Sequence, residues 1–224
     1  MTASPAAPLK SAPSRPRLIA EFAALFIGVP LIMVATFGLY PLFPVIIGLA
    51  VVACLLLHVT PGWRFSALLK GPVLGEWRLI AVYFALTLVT CLIFVFALVP
   101  ERLLSFPRHN PGFWLIVITF YPILSAFPQE IIYRSLFFER YQSLFPNEWT
   151  AILANGALFG FGHLFYENWV TIAMTACGGA IMGWAYLRSR SVLLAWVLHA
   201  LAGQIIFTVG LGVYFYHGAV GAAP

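Results

Sequence analysis

The chain has 224 residues, of which 62% are hydrophobic and only 8% charged, with a net charge of +5. About a quarter of the residues of an ordinary soluble domain are charged, so the composition excludes a water-soluble globule and points to an all-α, polytopic transmembrane bundle. The apolar runs are continuous rather than alternating, which argues against a transmembrane β-barrel. The basic residues sit at the ends of those runs, which assigns the charge to membrane topology rather than to nucleic acid.

In chain order, residues 1–17 are rich in Ala, Pro and Ser, carry Lys10, Arg15 and Arg17, and read as a disordered basic tail. The run 18–37 exceeds the apolar core of a signal peptide and reads as a retained first span. Further spans are expected at 42–59, 78–99, 112–141, 149–166, 169–187 and 191–216, about seven in all. The fifth and sixth are borderline against the ~20 residues needed to cross the hydrocarbon. Segment 60–76 reads as an amphipathic helix at the interface. The organisation is then 18–109 for the first three spans and 110–216 for a core.

The fourth span holds Pro122 and Pro128. Proline removes a helix hydrogen bond, so a kink or break is expected just before Glu130. With the N-terminus inside and the C-terminus outside, Lys10, Arg15, Arg17, Arg64, Lys70, Arg78, Arg140, Arg188 and Arg190 fall on the cytoplasmic side. Only Arg102 and Arg108 fall opposite, an asymmetry that favours this orientation. Cys54, Cys91 and Cys177 lie inside apolar runs without CxxC spacing and read as small core residues.

There is no Asp, so any carboxylate chemistry falls to one of seven Glu. Glu130, His163 and His199 lie within three different apolar runs. Ionisable groups are costly in lipid, face a bundle interior and often mark function. Glu130 and Arg134 are four apart and share a helix face. Alone, they read as a structural ion pair; with a site beside them, Arg134 tunes an acid whose apolar surroundings favour proton binding. Each His alone reads as a packing residue. As a set, the three suit a zinc ion or a water activated directly beside an oxyanion stabiliser. Gly160 and Gly162 leave room for a close backbone or a substrate strand. Neither HExxH nor GxSxG is present, and Ser125 and Ser135 flank Glu130 without a recognisable His partner. Glu139, Arg140 and Glu148 read as solvated link residues, and Glu21 as a favourable charge in a first helical turn. By rise per residue, His163 lies ~20 Å and His199 ~12 Å along their helices from the cytoplasmic end. They meet only if the fifth span starts below the surface or tilts strongly.

Gln129-Glu130-x-x-x-Arg134, Phe159-x-x-x-His163 and His199-x-x-x-Gly203 together resemble the CAAX-protease and bacteriocin-processing (CPBP) family of intramembrane peptidases. The pattern of that family is E-E-x-x-x-R, F-x-x-x-H and H-x-x-x-N, and the likeness covers about residues 110–206. The resemblance implies an endopeptidase that cuts a membrane-associated peptide or protein, in an integral membrane setting such as a bacterial inner membrane. It implies a catalytic set of Gln129, Glu130, Arg134, His163 and His199, with the two histidines as transition-state partners or, together with Glu130, as ligands of a zinc ion. No nucleic acid partner is implied, and the oligomeric state stays open. The chain departs from the pattern twice. Gln129 stands for the first Glu, and a carboxamide cannot act as a base. Gly203 stands for the last polar residue, with Gln204 one position late. Either Glu130 takes over as base, or the chain is a non-catalytic scaffold, immunity or assembly factor. A proton-coupled carrier is the third class, but no inverted repeat supports it.

Overall fold

The computed structural model describes residues 13–36 and 41–215. Most of the expected basic tail, residues 1–12, lies outside the described residues, while Arg15 and Arg17 begin the first helix. Among the described residues the chain is helical, without strands. Seven helices make the bundle: α1 (Arg15–Ala35), α2 (Leu42–His58), α3 (Leu74–Leu98), α4 (Pro111–Arg140), α5 (Glu148–Phe161), α6 (Trp169–Ser189) and α7 (Val192–Val209).

Five of these are long and apolar enough to cross a membrane; α2 has 17 residues and α5 only 14. The fifth expected span therefore stops five residues early, and the seventh ends at Val209, where Gly210 turns with φ 122° against the Arg102 carbonyl. Segment 60–76 is no single amphipathic helix: it forms two short 3-10 turns, Phe65–Leu69 and Leu74–Glu76, the second running into α3. Gly71 and Pro72 separate the two turns, a pair that favours turns over helix.

The layering follows from which faces are dry. Val82, Leu86, Val89, Ile93 and Phe96 are exposed along α3 at three- and four-residue steps, a stripe that faces lipid. Comparable outward residues line α1 and α4, whereas α7 exposes no large apolar side chain. Accordingly 61% of α7 is buried, against 17% of α1 and of α3, and α7 is the post around which α3, α4 and α6 pack. The protein is an integral membrane helical bundle. Cys91 is core, Cys54 half-buried and Cys177 exposed on α6, so the third cysteine is not the core residue expected.

The most extensive helix pair is α5 with α6. A Cβ at Gly156 would stand 2.7 Å from the Ala176 carbonyl oxygen, and one at Gly179 would stand 2.8 Å from Phe159 Cβ. Small residues thus let these helices touch backbone to backbone, the packing mode of membrane interfaces. Gly160 packs on Ala176 and Gly162 on the Tyr133 hydroxyl, so both spaces are filled by protein rather than left for a substrate strand.

One end of the bundle is tied by charge. The Arg140 guanidinium donates to Glu21 (2.8 Å) and to Thr60 Oγ1 (3.0 Å), joining α1, the end of α2 and the end of α4. Arg17 holds the other Glu21 oxygen at 2.8 Å. Glu21 lies in the second turn of α1, which begins at Arg15, and so is not the first-turn charge expected; Arg140 is not the solvated link residue expected, its side chain being 2% exposed. Glu139 accepts from the Tyr186 hydroxyl at 2.8 Å. Removing Arg140 leaves Glu21 partly exposed and still paired with Arg17, so what is lost is a set of hydrogen bonds to a charged group, about 2 kcal/mol. Arg140→Ala is therefore expected to lower stability in detergent by about that amount. Arg102→Ala, whose partner Glu101 is 4.0 Å away and exposed, costs under about 1 kcal/mol. Thermal unfolding of the two variants side by side measures the difference.

Candidate active site

Helix α4 is continuous, not broken, but two π turns interrupt it at Pro122–Ala126 and Ile131–Leu136, on either side of Phe127–Glu130. Pro122 has no N–H to give the Ile118 carbonyl. That carbonyl accepts instead from Gln204 Nε2 of α7 at 3.1 Å. The Pro122 carbonyl accepts from Trp196 Nε1 at 2.6 Å. Pro122 thus ties α4 to α7: Gln204 satisfies the Ile118 carbonyl it leaves free, and Trp196 adds a second donor to the Pro122 carbonyl, which also accepts from the Phe127 N–H. Gln204 is spent on this and does not reach the site.

The π turns also set a face. An α-helix advances about 100° per residue, so three four-residue steps overshoot by ~120°. The wider π turns cancel this drift, and Tyr121, Ser125, Gln129 and Tyr133 all line one cavity. That cavity measures about 360 Å³ and is also lined by His163, His199, Phe159 and Tyr83. Its remaining wall is largely apolar, built from α1, α2, α3 and α6.

His199 and His163 both reach this cavity from different elements. His199 stands on α7, 6% exposed. Its Nδ1 donates to Glu130 Oε1 at 2.7 Å. A carboxylate can only accept, so the proton sits on Nδ1 and Nε2 is left as the bare nitrogen. His163 is not inside a helix. It follows the α5 end at Gly162, which frees the Phe159 carbonyl. His163 Nδ1 donates to that carbonyl at 2.7 Å, which fixes the same tautomer. Neither Nε2 has a hydrogen-bond partner among the described residues. Both imidazoles nevertheless line the one cavity, although counting residues sets them at different depths along their helices. The Phe159 ring lies between the two imidazoles, with centroids 4.8 Å from His163 and 5.4 Å from His199.

Glu130 itself does not line the cavity. It is fully buried, one oxygen accepting from His199 and the other from Arg134 Nε at 2.8 Å. Arg134, also fully buried, donates further to Asn155 Oδ1, and its guanidinium lies 5.3 Å from the Phe159 ring centroid. Asn155 Nδ2 donates to the Tyr133 carbonyl at 2.7 Å. Glu130 and Arg134 therefore form a neutral buried pair that holds His199. The ion pair and the site, alternatives at the level of sequence, are one structure.

Gln129 is the α4 acid-motif residue that faces the cavity. Its Nε2 donates to Ser125 Oγ at 2.9 Å. Neither Ser125 nor Ser135 hydrogen-bonds an imidazole, so no Ser–His pair exists among the described residues. Asn155 and Tyr121 were not picked out from sequence. A fully buried Asn within an apolar helix signals the same cost as a buried charge, and that rule applied to Asn155 identifies it.

Zinc requires three or four converging ligands. Among the described residues no group of three or more His, Cys, Asp or Glu is placed to hold a metal ion. Both Glu130 oxygens are engaged by neighbours, and the cavity offers two imidazoles and a carboxamide. This donor set does not fit the expected zinc site, and the chemistry below uses no metal.

No curated protein and no solved structure matches the chain. Residues 111–205, from the start of α4 to near the end of α7, match the family described as Type II CAAX prenyl endopeptidase Rce1-like. They contain every element that supplies Gln129, Glu130, Arg134, Asn155, His163 and His199, so the polar site lies wholly within the segment that is similar to that family.

Proposed function

We propose that the chain is an intramembrane endopeptidase, hydrolysing a peptide bond of a membrane-associated substrate at the His199–Glu130 and His163 site. One observation carries the reading: two imidazoles with their Nδ1 protons tied down present bare Nε2 atoms to one cavity within the bundle. Such a nitrogen accepts a proton from water. The water oxygen attacks the substrate carbonyl carbon as its proton passes to His199 Nε2. Glu130 stabilises the imidazolium that forms, the logic of a carboxylate–histidine pair. The proton then moves to the substrate nitrogen, the C–N bond breaks, and His199 returns to its neutral state. His163 Nε2 accepts the second water hydrogen and orients the attack. Gln129 keeps one amide hydrogen for the carbonyl oxygen as it gains charge. From the asymmetry of basic residues we also place the Arg140–Glu21 end of the bundle, as a proposal, on the cytoplasmic side.

The second reading, a non-catalytic relative, is favoured by Gln129 standing on the cavity wall where the resembled pattern carries a carboxylate. Gln129→Glu separates the two. If an imidazole is the base, cleavage of membrane-anchored peptide reporters changes less than about tenfold, because the general-base contribution of 10²–10⁴ already exists. If the natural chain lacks its base, wild type is inert and Gln129→Glu raises cleavage by about a hundredfold or more. The measurement is reporter cleavage in membranes holding equal amounts of each protein.

A further inference from the structure

Gly203 follows His199 by four residues on α7, so it lies one turn on, along the same face. The space a side chain would take there is already filled. A Cβ at position 203 would overlap the Tyr121 ring and stand 2.7 Å from its hydroxyl. Tyr121 comes from α4, and its ring meets His199 edge-on with centroids 5.9 Å apart. A second edge contact, 5.4 Å to Phe207, braces the ring from the far side.

These contacts need only a phenyl ring. The hydroxyl asks for a separate reason. Tyr186, Trp196 and Trp114 engage their polar tips, on Glu139, the Pro122 carbonyl and Thr208, whereas the hydroxyl of Tyr133, another cavity-lining residue, has no partner among the described residues. The Tyr121 hydroxyl has no hydrogen-bond partner among the described residues, and it is not among the buried atoms left without one. Tyr121 lines the cavity with His199, His163 and Gln129. A neutral donor fixed at the edge of the bare imidazole suits an oxygen that becomes negative only as water adds.

We infer that Tyr121 is a catalytic residue of the proposed peptidase, its hydroxyl donating to the oxyanion of the tetrahedral intermediate from the place a residue-203 side chain would occupy. The inference rests on the peptidase reading and adds a donor to it. In this step the carbonyl π pair moves onto oxygen as the water oxygen bonds to carbon. The phenol keeps its proton throughout and shares it in a hydrogen bond. Gly203 is required because any larger residue pushes the ring out of place.

The test is steady-state cleavage of a membrane-anchored peptide reporter by the full chain in vesicles. Tyr121→Phe keeps the ring and removes the donor. It is expected to lower kcat about 10²-fold, the scale for one oxyanion donor, with KM changed less than about twofold, as befits a transition-state contact. Gly203→Ala displaces the ring and is expected to lower kcat about as far. In the Tyr121→Phe background it is expected to add little, since both changes remove one hydroxyl. A Tyr121→Phe enzyme with wild-type kcat, or with a change in KM alone, overturns the inference and leaves the peptidase reading standing. Full additivity of the two losses overturns it as well. An inert wild-type chain overturns both.

Discussion

His199→Ala is expected to abolish cleavage, by about 10²–10⁴-fold, while the protein still inserts and accumulates in the membrane. The size follows from the role: removing a positioned base forfeits the general-base contribution. Insertion survives because Glu130 keeps Arg134, so no buried charge is left unpaired. The Glu130 contribution is separable from that of the imidazole. Glu130→Gln still offers an oxygen to His199 Nδ1, yet it carries no charge for the imidazolium. A comparable change to the buried acid of a Ser-His-Asp triad costs about 10⁴ in turnover, and a loss approaching that is expected here. His163→Ala removes the water-orienting acceptor and is expected to be slower than wild type but faster than His199→Ala. Reporter cleavage, normalised to membrane content of each variant, gives the order. Wild-type rates in all three variants remove the shared-site mechanism.

Arg134→Ala is expected to cause the largest loss of stability. The guanidinium is fully buried, paired to Glu130, bonded to Asn155 and set over Phe159. Deleting it strands an ionised carboxylate in the bundle interior, at about 3–5 kcal/mol. The loss is expected as aggregation or a lowered melting temperature of the detergent-solubilised protein. Glu130→Leu with Arg134→Met removes both charges, and buried pairs exchanged for apolar residues of similar volume are often as stable as the original. That double variant is expected to recover most of the stability and none of the cleavage. A double variant as unstable as Arg134→Ala would falsify the ion-pair account and place the loss in the packing on Phe159.

The two results together show why Glu130 was identified from sequence and its exact duty was not. Its burial and its pairing with Arg134 are legible: an acid four residues before an arginine in an oily run has one inexpensive arrangement. Which oxygen faces which neighbour depends on α7 and α5, which are distant in sequence. The π turns around Phe127–Glu130 rotate Gln129 onto the cavity wall and Glu130 behind it. A proline pattern signals a disturbed helix, but kink, break and π turn all answer to it. Position of His163 was misread for a similar reason. The apolar run continues past Phe161, while the helix ends there and the turn Leu164–Tyr166 packs against the end of α1.

The sequence by itself determined the class of molecule and the polar residues worth attention. Sixty-two per cent hydrophobic residues cannot be hidden in water, and ionisable groups in lipid demand partners. It also carried the motifs around Glu130, His163 and His199, all of which lie within the matched residues 111–205. Only the tertiary structure decided the hydrogen-bond partners of those residues. Hydrogen-bond direction fixes each imidazole tautomer, and that direction comes from a carboxylate on α4 and a carbonyl freed at the end of α5. The Tyr121 ring in the place of a residue-203 side chain is likewise a fact of two helices meeting. Composition and spacing act along one chain segment at a time. Proton placement and cavity walls arise where segments cross, and no local pattern encodes the crossing.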